Sequence, residues 1–204
     1  MNVETFNYSH ESLAPLFYLN KRDRKNIYIF PTEKETLEFY NNFSNFVPES
    51  SHFPAWDTLS YDSFTPSLEI QGKRLQTLHN LLVSNYFDIA MSMKSFTQKI
   101  FINDLDVIDV QIGQEVDFEN LIENLAFLGY VNKDRVESRG TFSIRGGQID
   151  IYPLNSEYPT RIIFNGDEVI ELKLFDFITQ RSIKNTKKVL ITPSSELFQT
   201  KQED

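Results

Sequence analysis

Apolar residues in the first half of the chain recur with the alternating periods of short strands and helices. Residues 26–31 form a short apolar run that ends at Pro31, which predicts a buried strand. Thr32 lies three residues before Glu35, a capping-box spacing, so a helix is predicted over residues 33–46. Its predicted buried face consists of Leu37, Tyr40, Phe43 and Phe46. The same periods predict a helix over 68–82 with Ile70, Leu75, Leu78 and Leu82 on one face, a strand over 88–91 and a short helix over 95–100.

Residues 48–67 match neither period. The segment contains three prolines together with Trp56, Tyr61 and Phe64. Proline interrupts both helices and central strands, so the segment is predicted to be an ordered aromatic loop.

The pattern changes near residue 105, and from Gly129 onward its period is two. A helix is predicted over 118–128, and strands are predicted over 106–112, 141–144, 148–152, 161–164, 169–175 and 188–192. Gly146 and Gly147 interrupt the alternation and mark a bulge or tight turn, and Asn165-Gly166-Asp167 is a hairpin signal.

Together these patterns predict an α/β fold in two domains. Residues 1–104 are expected to form a parallel sheet with helices on its faces, because strands and helices alternate. Residues 105–204 are expected to form a small α+β domain with an antiparallel sheet.

Composition narrows the possible functions. The 204 residues carry a formal charge of −9, which argues against a stand-alone nucleic-acid binder, and the absence of cysteine excludes disulfides and thiolate metal sites. The three histidines show no metal-ligand spacing. There is no membrane-length apolar run and no signal-peptide pattern, so a cytoplasmic protein is expected.

Glycine placement bears on nucleotide chemistry. There are seven glycines, and none precedes Gly72. A phosphate-binding loop needs G-x-x-x-x-G-K-[ST], whereas Gly72-Lys73 is followed by Arg74 and lacks the upstream glycine. The sequence therefore predicts no nucleotide hydrolysis, no cofactor and no metal for this chain.

Two features of the aromatic loop have competing interpretations. Its aromatic residues could stack on bases, or they could simply anchor an irregular segment, and Lys34 is the only cation between residues 26 and 72. Asp57 and Asp62 could act as a pair in acid–base or metal chemistry, or they could be solvated loop carboxylates. The shortage of cations and of companion ligands favours the structural interpretation in both cases.

Three arginines of the second half, Arg139, Arg145 and Arg161, are also candidate functional residues. Arg145 precedes the glycine pair, and both it and Arg161 alternate away from apolar neighbours. Such arginines suit a protein interface. Edge-strand solubility, or pairing with Asp150, Asp167 or Glu168, explains them equally well.

Longer motifs resemble those of bacterial transcription-repair coupling factors (Mfd). Residues 53–82 read FPAWDTLSYDSFTPSLEIQGKRLQTLHNLL, similar to the family's N-terminal region. Matching motifs of its next domain are GY at 129–130, RGTFSIRGGQIDIYP at 139–153, RIIFNGDEVIELKLFD at 161–176 and TQRSI at 179–183.

The resemblance implies a module like that of the excision-repair protein UvrB. Residues 1–104 would be a degenerate helicase-like domain (1a) without a Walker A motif, and residues 105–204 an adaptor domain (2) that docks UvrA. UvrB itself has a phosphate-binding loop and a tyrosine-rich hairpin that this chain lacks. The family's interface positions fall on Arg145 and Arg161. A third, aromatic position after Phe164 is Asn165 here, and Phe164 is not expected to replace it because adjacent strand residues face opposite sides.

The resemblance also implies a longer parent protein. It would continue with domain 1b, an RNA-polymerase-interacting domain, an ATP- and Mg-dependent DNA translocase and a C-terminal domain that masks the UvrA surface. RNA polymerase and DNA would be bound by the parent, in transcription-coupled nucleotide excision repair of DNA damage. This chain would be a non-catalytic docking module. The alternatives are a UvrB-type helicase fragment that binds nucleotide or damaged DNA, and a hydrolase that uses Asp57 and Asp62.

Overall fold

The structure is a computed structural model that describes residues 25–58, 65–100 and 105–196. The chain divides into two compact units, Met1–Trp56 with Thr77–Lys99 and Asp57–Gln76 with Ile100–Asp204. Residues 57–76 therefore cluster with the second half of the chain, although the boundary expected at 104/105 places them in the first domain. The mixture of helices with parallel and antiparallel sheets agrees with the predicted α/β class.

The first unit is built on a three-stranded parallel sheet. Its strands are β1 (Lys25–Phe30), β2 (Ser51–Phe53) and β3 (Phe87–Ser92), in the order β1-β3-β2. The unit also contains α1 (Glu33–Phe43), α3 (Met93–Thr97) and the second half of α2 (Leu68–Val83). Parallel strands require such crossover helices, which is what the sequence alternation predicted.

Helix α1 begins as predicted but buries a different face. Thr32 is the N-cap, and its hydroxyl accepts a hydrogen bond from the Glu35 amide at 3.2 Å. The buried residues are Thr36, Phe39 and Phe43, whereas Leu37 and Phe46, both predicted to be buried, are 40% and 49% exposed. The segment offers apolar residues on two overlapping faces. The rings of Tyr28 and Phe30 on β1 select the face that carries Phe39.

Strand β2 lies within the segment predicted to be an aromatic loop, so that prediction was wrong for residues 51–53. The strand has three residues and pairs with β3, with His52 opposite Ala90. No local period can be read from three residues; the long-range pairing defines the strand.

Helix α2 matches the predicted helix to within one residue. Leu75 and Leu78 are buried, whereas Leu82 is 52% exposed near the helix end. A side chain at Gly72 would collide with the carbonyl oxygen of Leu154. Gly72 therefore allows a close approach of helix and backbone, a structural role that the motif search for phosphate loops did not anticipate.

The second unit contains a six-stranded sheet in the order β10-β9-β8-β7-β6-β5. All neighbours are antiparallel except β5 and β6, which are parallel. The strands are β5 (Val131–Asn132), β6 (Thr141–Ile144), β7 (Gln148–Ile151), β8 (Thr160–Asn165), β9 (Glu168–Phe175) and β10 (Ser182–Thr186). A separate antiparallel pair joins β4 (Ile108–Gln111) to β11 (Lys188–Ile191), and α4 spans Phe118–Phe127.

The main core of this unit forms on one face of the six-stranded sheet. Leu121 and Leu125 of α4 pack with Ile149, Ile151 and Ile162, which are fully buried. The period of two predicted these inward positions. The hairpin at Gly166 is also confirmed: its φ is +62°, a conformation suited to glycine, and Asn165 pairs with Glu168.

Strands β5 and β10 were not predicted. Strand β5 has only two residues, and β10 carries polar side chains of which most are exposed. Both lie at sheet edges, where a strand needs no apolar face. No helix among residues 25–58, 65–100 and 105–196 is long and apolar enough to span a bilayer.

Candidate protein-binding site

The site is built on the sheet face opposite the main core of the second unit. Register places Asp150 of β7, Arg161 of β8 and Lys173 of β9 side by side across three strands. Since successive residues of a strand point to opposite faces, these polar side chains lie on the face away from Ile149 and Ile162. The alternation in the sequence thus brings charged groups from distant positions into one row.

Arg161 forms a two-pronged pair with Asp150. Its Nε and Nη2 donate to the two carboxylate oxygens, both at 2.8 Å. The side chain of Arg161 is 18% exposed and that of Asp150 only 2%. Gln148 also donates to Asp150, from its amide at 2.9 Å. The fork geometry fixes the orientation of the guanidinium, because both of its bonds must be kept at once.

The guanidinium of Arg161 also lies over an aromatic ring. Its central carbon is 4.8 Å from the centre of the Phe175 ring, a cation–π contact. Hydrogen bonding to Asp150 raises the pKa of Arg161, while partial burial opposes that rise. Arg161 therefore points off the main core face, as the alternation predicted. It also pairs with Asp150, which was one of the alternatives to an interface role.

Arg145 is more open to solvent. It is exposed, and its backbone amide donates to the Gln148 carbonyl at 2.9 Å, which extends the β6–β7 hairpin. Its Nη2 donates to the Asp134 carbonyl at 2.7 Å. Gly146, which follows, has a φ of +59° and turns the chain directly after the arginine. Alternation from β6 places Arg145 on the same face of the sheet as Arg161.

Phe164 and Asn165 point to opposite sides of β8. Phe164 is 7% exposed and packs edge-on against Phe118, with ring centres 5.0 Å apart, within the main core. Although Phe164 adjoins the third interface position of the resemblance, its ring belongs to the core and is not available as a contact residue. Asn165 is exposed at the hairpin.

Arg139 is held inside its own unit. Its Nε and Nη2 both donate to the carbonyl of Ser156, at 3.2 and 3.0 Å, and its guanidinium lies 5.2 Å from the Tyr152 ring centre. These contacts give it a structural role in the connection between β7 and β8.

The aromatic loop is described only in part. Tyr61, Asp62 and Phe64 lie outside the described residues, so the alternative in which Asp57 and Asp62 act as a pair cannot be compared with the structure. Asp57 accepts a hydrogen bond from the Ser67 amide at 3.0 Å.

A second buried arginine was missed by the sequence analysis. Arg74 of α2 donates from Nε and Nη2 to Glu196, at 2.7 and 2.9 Å, and both side chains are 0% exposed. Gln71, one turn earlier, accepts from the Glu196 amide at 3.0 Å. The available signal was the position of Arg74, four residues from Leu78 on the apolar face of the helix.

The carboxyl edge of the parallel sheet has acidic side chains where a nucleotide phosphate would lie. Glu33 opens α1 directly after β1, and its carboxylate lies 2.8 Å from His52 Nε2. Burial raises the pKa of Glu33, but hydrogen bonds with His52 and Ser92 outweigh it, so the pKa is lowered overall. A carboxylate at a helix start repels phosphate. The described residues contain no cluster of His, Asp and Glu that could hold a metal ion.

Comparison with known proteins finds a family-model match within the second unit and relatives for a longer part of the chain. Residues 108–197 match the family model described as the UvrB interaction domain. The transcription-repair-coupling factor of Escherichia coli is 27% identical over 175 residues, covering 83% of this chain, and that of Bacillus subtilis is 42% identical over 89 residues, covering 44%. The UvrABC system protein B of Thermosipho africanus is 25% identical over 177 residues, covering 85%. The chain spans 15%, 8% and 26% of these three relatives, respectively.

Proposed function

We propose, from the UvrB interaction domain in residues 108–197 and the homology of the chain to transcription-repair-coupling factors and UvrB, that this protein is a docking module for UvrA. The match of the family model to the second unit is the observation that carries the proposal. In the parent protein the module would recruit nucleotide excision repair to stalled RNA polymerase. It would do so without catalysis of its own.

The geometry of the two arginines supports docking through the polar sheet face. Arg161 is already oriented by Asp150 and Phe175, so little side-chain entropy is lost when a partner binds. A guanidinium has five N–H donors, and the fork to Asp150 uses only two of its nitrogens. Arg145, which is exposed on the same face, would supply a second cation to acceptors on UvrA. Asn165 would contribute at most a polar contact at the hairpin.

The absence of a catalytic role is part of the proposal. It is supported by the sequence, which lacks the glycines of a phosphate loop, and by Glu33 and Glu35 at the start of α1. In this interpretation the first unit is a helicase-like domain that has lost its nucleotide site. ATP and Mg would act in the motor of the parent.

Binding of purified UvrA to the whole chain tests the docking proposal. Truncation of an interface hot-spot arginine typically costs about 2 kcal/mol, so Arg145→Ala is expected to weaken the complex by roughly thirtyfold in calorimetry. Lys133→Ala, a change of an exposed cation in the same unit, is the matched control and should leave the affinity unchanged. Wild-type affinity for a double variant with Arg145→Ala and Arg161→Ala would refute the assignment.

A UvrB-type fragment that binds nucleotide is the second candidate, because UvrB relatives cover up to 88% of this chain. Calorimetry with ATP and the isolated chain distinguishes the two. Stoichiometric ATP binding would support the UvrB-type function and contradict the argument from glycine and Glu33.

A further inference from the structure

Residues 181–188 form a basic edge that is distinct from the candidate UvrA site. Within the sequence RSIKNTKK, Arg181, Lys184, Lys187 and Lys188 are all exposed. The sequence has no Asp or Glu between Asp176 and Glu196. In a chain of formal charge −9, this is a local concentration of positive charge.

The cations of this basic edge differ from Lys73 and Lys173 of the same unit, which have acidic partners. Lys73 pairs with Glu69 at 2.7 Å, and Lys173 pairs with Glu171 at 2.8 Å. None of the four basic-edge cations forms an ion pair with any residue that the structure describes. Their charge is therefore not neutralised locally, and it is available to a partner.

Within the basic edge, the backbone of β10 (Ser182–Thr186) is open on one side, whereas the Lys187 carbonyl accepts from the Ile112 amide and Lys188 pairs with Gln111. Strand β10 is the outermost strand of the six-stranded sheet and pairs only with β9. An outer strand presents unpaired N–H and C=O groups, to which another extended chain can add. Lysines on such an edge oppose pairing with a second copy, because like charges would meet, but they attract an acidic strand.

An exposed isoleucine in β10 indicates that the partner also contains apolar residues. Ile183 is 48% exposed between Ser182 and Lys184. The β9–β10 register shifts between Ser182 and Lys184, so Ile183 lies at an irregularity of the edge. A partner strand beside β10 would place an acidic residue near Lys184 and an apolar residue near the exposed Ile183. A phosphate backbone would make no use of Ile183. A long polyanion would also extend beyond the basic edge and meet the acidic remainder of the chain, whereas a short peptide experiences mainly the charges within about 8 Å.

We propose that the basic edge binds a short extended peptide in which acidic and apolar residues alternate, by adding it as a strand to β10. Backbone hydrogen bonds to β10 supply the pairing, Lys184 within the strand and Lys187 just beyond it attract acidic side chains, and Ile183 supplies the apolar contact. The proposal does not depend on UvrA docking, because none of these residues belongs to the candidate site.

The test uses the whole chain and a fluorescein-labelled probe peptide, Glu-Val-Glu-Ile-Glu-Val-Glu, followed by anisotropy. Reversal of two charges in Lys184→Glu with Lys187→Glu is expected to weaken binding at least about tenfold. Lys133→Glu, just beyond the strand at the opposite edge of the sheet, is the matched control and should leave binding within about twofold. A peptide with Pro in place of Ile should bind more weakly, because it lacks a backbone donor.

Amide hydrogen exchange distinguishes strand addition from simple charge attraction. Bound probe should slow exchange in residues 182–186 and leave β5 unchanged. The proposal is overturned if the probe fails to bind at about 1 mM, if the charge-reversed variant binds like wild type, or if exchange in β10 is unaltered. Tighter binding of a single-stranded oligothymidine than of the probe at about 0.15 M salt, through the same lysines, would overturn it in favour of nucleic acid.

Discussion

Two arginine–carboxylate pairs in the second unit share the same fork geometry but differ in their access to water. Arg74 and Glu196 are both 0% exposed, whereas Arg161 is 18% exposed over a carboxylate that is 2% exposed. In the first pair every contact is internal. In the second, the carboxylate orients a guanidinium that still reaches the surface. The same chemistry thus serves packing in one place and, under the proposed function, would present an arginine to UvrA in the other.

Burial determines what the loss of one partner of an ion pair does to the stability of the protein. A buried ion pair often contributes little to stability relative to a well-packed apolar pair, but removing one partner leaves an uncompensated charge. Loss of Arg74 should therefore affect folding, and loss of Arg161 should also destabilise the fold because Asp150 is only 2% exposed. A change at Arg161 that keeps the positive charge should affect binding more than folding.

The largest effect is expected from Arg74→Met. Glu196 would keep a buried charge without its fork partner, so the free energy of unfolding should fall by about 3–5 kcal/mol. Urea denaturation followed by circular dichroism measures this change. The double variant with Arg74→Met and Glu196→Leu removes both charges and should recover most of the loss. Equal instability of the single and double variants would show that packing at this position, and not the charge, sets the stability.

A smaller effect, on binding, is expected from Arg161→Lys. Lysine keeps the charge but lacks the planar fork, so it cannot hold both oxygens of Asp150 and remain oriented toward a partner. UvrA affinity should fall about tenfold, which corresponds to about 1.4 kcal/mol. The unfolding free energy measured in parallel should change much less than in Arg74→Met. An unchanged UvrA affinity would assign Arg161 a structural role like that of Arg74.

The smallest effect on stability is expected from Glu33→Gln. Glu33 is a carboxylate of the first unit that pairs with His52 and not with an arginine. The folded-state pKa of Glu33 is lowered, so its contribution to stability is present above its unfolded pKa and is lost as pH falls through the folded value. Glu33→Gln should therefore be less stable near neutral pH and lose less stability on acidification. Urea denaturation from neutral pH down to about pH 3 measures this.

Glu38→Gln provides the control for that experiment. Among the residues that the structure describes, Glu38 forms an ion pair with the exposed Lys34 alone, at 3.8 Å, so Glu38→Gln should leave the acid dependence of stability nearly unchanged. Parallel acid-dependence curves for wild type and Glu33→Gln would contradict the effect assigned to His52.

The elements that could be predicted from sequence are those whose side chains repeat a period. Helix α2 and strands β6 to β9 repeat an apolar period over enough residues to identify them. Strands β2, β5 and β10 are either very short or polar, so pairing with a neighbouring strand defines each of them and no apolar period does.

The candidate site was predicted only in part, because some of its contacts depend on strand register and helix packing. Alternation placed Arg161 off the core face, because strand geometry is local. Its pairing with Asp150 depends on the β7–β8 register, and the burial of Phe164 against Phe118 depends on where α4 packs. Arg74 was missed because nothing in its neighbourhood in sequence indicates Glu196, which lies 122 residues away.

The sequence by itself determined the two kinds of sheet, the glycine turn at Gly166, the lack of a phosphate loop and the positions of the arginines. These follow from period, backbone conformation and residue chemistry, all of which act over a few neighbouring residues. Only the tertiary structure decided that Arg74 is fully buried and that Arg161 reaches the surface. It also decided which cations of the described residues form no ion pair. Those outcomes depend on register and packing, which bring together side chains that are distant in the chain and set their access to water.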